Sequence, residues 1–227
     1  EKYPQQIGNL KFRINHIAYN KMSNTEIKTD TLWMYNSSKK KMNIGFAHLP
    51  EWIKVKPEKI TLKSTFDDYF LITYDASKRK DWGLIFDKLI LKTTDDTLSE
   101  KDIYVSAQIE EDFSKFSPEQ IENAAIASFA VKDFDFGEVK EGTNVVYRFE
   151  LINKGKSDLY IRKITSSCGC TTSNIDKTAL KPGENCFVTA SFNTGGRSGE
   201  QHKTITIITN DPNNPAIILS LIGKITN

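Results

Sequence analysis

The chain has 227 residues, enough for two domains of roughly 100 residues each. Its 31 basic and 29 acidic residues nearly cancel, so no net field favours nucleic acid or an anionic membrane surface. No run of about 20 apolar residues exists to span a bilayer, and three cysteines are too few for a disulfide-dense scaffold.

The chain begins at Glu1 rather than methionine, which suggests a trimmed form whose signal peptide, if any, lies out of sight. The first informative stretch runs from Phe12 to Ile44, because its apolar spacing returns 117 residues later, from Phe129 to Ile161, without a gap. Nine apolar positions coincide: Phe12/Phe129, Ile14/Val131, Ile17/Phe134, Tyr19/Phe136, Met22/Val139, Leu32/Phe149, Met34/Leu151, Met42/Leu159 and Ile44/Ile161. Only four residues in the window are identical, so it is the buried pattern that repeats while surface letters drift. After a one-residue slip the match resumes, ITLKSTFDDYFLITY answering TALKPGENCFVTASF and ILKTTDD answering TIITNDP.

Within the first copy, Leu32 and Met34 alternate with Trp33 and Tyr35, which places the two aromatics on the outer face of a strand. Such a pair suits a protein or glycan partner, or a covering segment of the same chain. Trp52 and Trp82 sit in expected loops with the same two readings. Lys39-Lys40-Lys41 and Lys78-Arg79-Lys80 fall at expected turns and read as solvated, as do the carboxylate pairs Asp67-Asp68 and Asp95-Asp96.

One segment breaks the β rhythm. Ser117 is placed to cap a helix, Pro118 stands at its first position and Gln120 three residues after the cap, so a short helix is expected over about 118–125. Flanked by Phe113 and Phe116, it reads as a semi-rigid spacer rather than a loose tether. Beyond it, Val145, Tyr147, Phe149 and Leu151 form one face of a strand, Asn153 to Ser157 a turn, and 159–164 the next strand. The turn Pro182-Gly183-Glu184-Asn185 precedes a strand whose Val188, Ala190 and Phe192 share a face; strands at 204–209 and 217–222 follow. With the opening at 129–136 this gives about seven strands, the pattern of an immunoglobulin-like sandwich.

No catalytic constellation is present: His16, His48 and His202 are scattered, and no serine stands in a nucleophile elbow. The run Gly195-Gly196-Arg197-Ser198-Gly199 lacks the Lys-Ser/Thr ending of a phosphate loop and reads as a flexible hairpin loop. The thiols are Cys168, Cys170 and Cys186. Cys168 and Cys170, one residue apart, can chelate copper(I) or zinc if further ligands such as Cys186 or His202 join them. They can equally form a small, reducible CxC disulfide, or one can bridge to Cys186. The plain alternative is three small residues packed at a corner, and Cys186 is in phase with the inward set at Val188, Ala190 and Phe192.

Around Ser166-Ser167-Cys168-Gly169-Cys170-Thr171 the second half resembles a bacterial family of extracytoplasmic proteins, formally a domain of unknown function. That family's signature runs close to FDFGxVxxG, N.G, SCGCT, PGE, TNDP and a late glycine. Here those elements stand at Phe134 to Val139 with Gly142, Asn153 to Gly155, the cysteine motif, Pro182 to Glu184, Asn210 to Pro212 and Gly223. The resemblance covers about residues 129–225. It implies a Hydin-type immunoglobulin-like fold, related to major sperm protein and pilus-chaperone sandwiches, and an exported or lipid-anchored address; it implies no catalytic activity or cofactor. The first half departs from it, with Tyr19-Asn20 in place of Phe136-Gly137 and Glu51-Trp52-Ile53 in the register of the CxC motif.

The expectation is therefore an all-β chain: two tandem immunoglobulin-like β-sandwiches, residues 1–110 and 128–227, joined by a short helical linker at 111–127. The expected function is a non-enzymatic adhesion, scaffold or assembly module of the cell envelope, in the periplasm or at the cell surface, with a protein or glycan partner. The alternative is a thiol-based metal-binding or redox protein using the CxC motif.

Overall fold

The computed structural model describes residues 2–226, and the chain divides into two compact units after Asp112. The first unit runs β1 (Gln5–Ile7), β2 (Leu10–Phe12), β3 (His16–Ser23), β4 (Ile27–Asn36), β5 (Met42–Phe46), β6 (Ile53–Lys56), β7 (Lys59–Leu62), β8 (Asp67–Asp75), the single helical turn α1 (Ala76–Arg79), β9 (Gly83–Thr93) and β10 (Glu100–Glu110). These form two sheets ordered β1-β2-β4-β8-β6 and β3-β10-β9-β5-β7. Leu32 and Met34 of β4 are fully buried, with Phe70 and Ile72 of β8, Leu91 of β9 and Ile103 and Val105 of β10.

The second unit contains α2 (Pro118–Glu122), β11 (Ala127–Phe129), β12 (Asp133–Lys140), β13 (Asn144–Asn153), β14 (Leu159–Ser166), β15 (Thr171–Ile175), β16 (Ala179–Leu180), β17 (Asn185–Asn193), β18 (Gly199–Thr209) and β19 (Ala216–Thr226). Its sheets are ordered β11-β13-β17-β15 and β12-β19-β18-β14-β16. Strand for strand this is the order of the first unit without β1. The fold class expected from the sequence, tandem β-sandwiches, is the one observed.

The second unit has nine strands among the described residues rather than about seven. The expected opening strand at 129–136 is in fact two, because the chain leaves one sheet after Phe129 and joins the other at Asp133, pairing parallel with β19. The first unit crosses in the same place, from β2 to β3, which runs parallel to β10. This crossing exposes Ile14 at 42% and Val131 at 43%, so that pair of the apolar repeat belongs to no core. Both parallel pairings carry a register irregularity, and Asn20 (φ 52°) and Gly137 (φ 67°) occupy equivalent positions beside it. A left-handed residue is needed there, and Asn and Gly adopt that backbone at least cost.

The two copies also share buried polar latches. Asn36 and Asn153 are both 0% exposed. Asn36 Nδ2 donates to the carbonyls of Lys40 (2.8 Å) and Leu62 (3.2 Å), and Asn153 Nδ2 to those of Ser157 (2.8 Å) and Leu180 (3.0 Å). Their Oδ1 atoms accept from the backbone of Ser38 and Gly155, each at 3.0 Å. Each asparagine thus satisfies carbonyls and an N–H that a turn between sheets would otherwise bury unpaired.

The second latch corrects the reading of Asp95-Asp96 as a solvated turn. Asp96 is exposed, but the Asp95 side chain is wholly buried against Lys101 Nζ at 2.8 Å, and it accepts from the Asn9 and Thr97 backbone N–H groups. Burial raises its pKa, but the Lys101 ammonium and these two N–H groups outweigh that and hold it at about 2. The equivalent Asp211, also buried, is satisfied by backbone N–H groups alone: Ala127 at 2.9 Å, Asn213 at 2.9 Å and Asn214 at 3.2 Å.

The expected helix forms with its full capping box, Ser117 Oγ accepting from Gln120 N and Gln120 Oε1 from Ser117 N. It stops at Glu122, because Asn123 caps it by turning its side chain back to the Glu119 carbonyl. The residues that follow dock onto the second unit: Lys156 N donates to Ala124 O, Lys154 N to Ile126 O and Ser157 Oγ to Asn123 O. A Cβ on Gly155 would come within 2.3 Å of the Ala124 carbonyl, so only glycine permits this docking.

Candidate functional site

Two places concentrate chemistry. The first is the corner between β14 and β15, where Cys168 and Cys170 are joined by a disulfide with Cα atoms 5.3 Å apart. Ser167 anchors the corner to β18, its N–H donating to Thr204 O at 2.9 Å while its Oγ accepts from Thr204 N at 3.0 Å. On the other side, Asn193 N donates to the Cys170 carbonyl at 3.1 Å. Both cysteines are half-buried and Gly169 between them is exposed. Thr171 Oγ1 lies 3.5 Å from the Cys168 sulfur and 3.9 Å from that of Cys170. The corner opens on a groove of about 520 Å³ lined by Thr172, Ser191, Asn193, Gly195 and Arg197. The Arg197 Nε is buried and meets no hydrogen-bond acceptor among the described residues.

Cys186 takes no part in this bond. It is buried in β17, its thiol donating to the Lys177 carbonyl at 3.8 Å, and burial pushes its pKa up. His202 is exposed on β18. Among the described residues no three His, Cys, Asp or Glu side chains are grouped to hold a metal ion.

The second place is the outer face of the β2-β4-β8 sheet. Trp33 and Tyr35 are half-buried there, and the structure shows what shares that face with them. Tyr3, from the segment before β1, stacks on Tyr35 with centroids 5.7 Å apart. Tyr69 lies opposite Trp33 across the β4–β8 ladder, with ring centroids 4.6 Å apart. The Arg13 guanidinium covers Trp33 at 4.4 Å and reaches Tyr3 at 5.8 Å, close enough for cation–π attraction. Tyr3 is pinned by its hydroxyl, which donates to Asp67 Oδ2 at 2.5 Å; Lys2 donates to the same oxygen at 2.7 Å, and these two bonds hold the Asp67 carboxyl below its usual range. Beside the stack, Lys2, Lys11, Tyr35, Phe66 and Asp67 line a groove of about 380 Å³, and Phe66 is 58% exposed.

Sequence reasoning found the pair at the centre of this face but missed Tyr3, Arg13, Phe66 and Tyr69. The Trp33–Tyr69 pairing follows from the register of two strands separated by a long connection, which no local pattern reveals. It also missed a second apolar patch on the opposite sheet, where Leu84 (57%), Phe86 (64%) and Tyr104 (42%) are exposed on β9 and β10. Of the two readings left open for Trp52 the structure shows the covered one, and Arg79, which covers it, corrects a further expectation. Arg79 is not a solvated turn residue: α1 turns it inward, its guanidinium 4.4 Å over the Trp52 ring and 3.5 Å from Asp87.

Residues 127–225 match the model of a family described as "Protein of unknown function (DUF1573)". No match was found among curated proteins. Among solved structures, the chain is similar to a protein of unknown function from Porphyromonas gingivalis W83, at 16% identity and a TM-score of 0.70, over 96% of this chain and 100% of that one. This likeness shows the fold of the whole chain and nothing more. Two weaker likenesses are the E. coli chaperone DraB, at 11% identity, TM-score 0.36 and coverage of 94% and 96%, and the Salmonella enterica SafA pilin–SafB chaperone complex, at 11%, 0.37, 96% and 98%. Scores of that size carry no argument about this chain.

Proposed function

We propose that the chain is a non-enzymatic interaction module of the cell envelope, and that the aromatic face of its first unit is the contact surface. The observation that carries this reading is a pair of aromatic contacts on the outside of one sheet: buried Tyr3 stacks under half-buried Tyr35, and exposed Tyr69 tilts against half-buried Trp33, which Arg13 covers. Rings fixed in this way lose little side-chain entropy on binding, and aromatic and arginine side chains contribute most where surfaces meet. The exposed Tyr69 and Phe66 suit a flat partner, either a pyranose ring or the apolar side chains of an extended peptide. The Cys168–Cys170 bond supports an address outside the cytoplasm, where disulfides persist. The terminal strands β6 and β15, each paired with a single neighbour among the described residues, offer an edge for strand addition.

The test is binding of the full chain to an array of bacterial cell-wall glycans and to a library of extended peptides, read by tryptophan fluorescence. Trp33→Ala and Tyr69→Ala are expected to remove binding while leaving the thermal midpoint nearly unchanged. Binding that survives loss of both rings refutes the assignment of this face.

A further inference from the structure

We propose that the Cys168–Cys170 disulfide is an exchange site that accepts two electrons from a peptide or protein dithiol. This goes beyond the interaction reading and uses the other unit.

Three observations support it. The bond closes a loop spanning only a two-residue separation, so it restrains the unfolded chain far less than a bridge between distant segments. A structural role therefore explains it poorly. It is also placed to be reached: both cysteines are half-buried at the mouth of the groove, and a Cβ on the exposed Gly169 would meet open space. Finally, the two sulfurs differ in their surroundings. Cys170 packs against the core of the second unit and its carbonyl is held by Asn193 N at 3.1 Å, whereas Cys168, equally half-buried, is not among the residues packed on that core. The Thr171 hydroxyl contacts both sulfurs, and Arg197, with its unsatisfied buried Nε, lines the same groove. A hydroxyl in contact with a sulfur and a cation lining the groove around it lower the free energy of a thiolate there, and exchange is faster when the leaving thiolate is stabilised.

The step balances as follows. One thiolate of the dithiol attacks the Cys168 sulfur, the bond between the two sulfurs breaks, and its electron pair leaves on Cys170. The second thiol of the dithiol loses its proton and attacks the dithiol's first sulfur, the one bound to Cys168 in the mixed disulfide; that bond breaks and Cys168 leaves as thiolate. The dithiol is oxidised to a disulfide, Cys168 and Cys170 are reduced, and they take up the two protons the dithiol gave.

The experiment uses the full chain isolated from an oxidising medium and an unstructured synthetic peptide with two cysteines. Mass spectrometry after alkylation is expected to show one peptide disulfide formed per chain, new thiols at Cys168 and Cys170, acid-quenched intermediates carrying peptide on Cys168, and Cys186 unlabelled until denaturation. The rate is expected to exceed that of oxidised glutathione with the same peptide by about tenfold, with Arg197→Gln slowing it by about tenfold and Arg197→Lys restoring most of it. Matched thermal unfolding of the variants and of the oxidised and reduced chain separates exchange from folding. The proposal is overturned if the bond yields only on denaturation, if its reduction unfolds the second unit, if the two cysteines are isolated as free thiols, or if the rate is no faster than glutathione's or indifferent to Arg197. None of these outcomes bears on the aromatic face of the first unit.

Discussion

The corner leading into β6 is closed by an aromatic cluster, Trp52 lying under Arg79 and donating its indole N–H to Asp87 at 3.2 Å. The equivalent corner leading into β15 is closed by a covalent bond across three residues. Below these corners the two units are nearly the same: each buries an asparagine that ties a turn to the opposite sheet and an aspartate that gathers backbone N–H groups. The two units thus share the groups that would be costly to leave unpaired and differ at those nearer to water. The aspartates mark where the copies part inside the core. Asp95 depends on the cation Lys101, and Asp211 depends on main-chain donors.

Breaking the cation dependence gives the largest expected effect. Lys101→Met leaves the buried Asp95 charge without its cation, at about 3–5 kcal/mol. All three tryptophans lie in the first unit, so a denaturant titration followed by tryptophan fluorescence reads its stability alone. Hydrogen exchange in the second unit is expected to stay unchanged, and a matching loss there would mean the units are not separate. Next are the shared latches: Asn36→Ala and Asn153→Ala each bury unpaired carbonyls and are expected to cost about 2–3 kcal/mol in their own unit. Costs that differ by more than about 1 kcal/mol would show that the latches have diverged in strength.

Acid offers a third test. The Asp95 pKa is lowered from 3.8 to about 2, so its contribution is full above its ordinary value and is lost as pH falls through the folded one. The first unit should lose about 2 kcal/mol between about pH 4 and 2, and Asp95→Asn should abolish that part of the dependence. Last is an exchange of residues between copies. Ser38 occupies the position of Gly155. Gly155→Ser is expected to cost about 1–3 kcal/mol and to expose the backbone around Ala124 to hydrogen exchange, while the reverse change, Ser38→Gly, costs roughly 0.5–1 kcal/mol.

Much of the architecture was legible from spacing. Alternation at Leu32 and Met34, the turn letters after Asn153, and the Ser117–Gln120 cap are local properties, and local sequence carries them. The thiols stood out in the sequence but their pairing did not, since the sequence left a bridge to Cys186 as open as one between Cys168 and Cys170. Asp95 illustrates the limit more sharply. Asp is common at turns, and nothing around it announces that Asn9, 86 residues away, would bring its backbone N–H to that carboxylate.

By itself the sequence determined that one buried pattern is used twice, because period-two alternation and turn chemistry act between near neighbours and survive drift at the surface. Only the tertiary structure decided which polar groups lie inside, which rings stack beside Trp33, and which sulfur partners Cys168. Those outcomes depend on strands from distant parts of the chain arriving side by side in one register, and the balance between desolvation and a new partner is settled only once they meet.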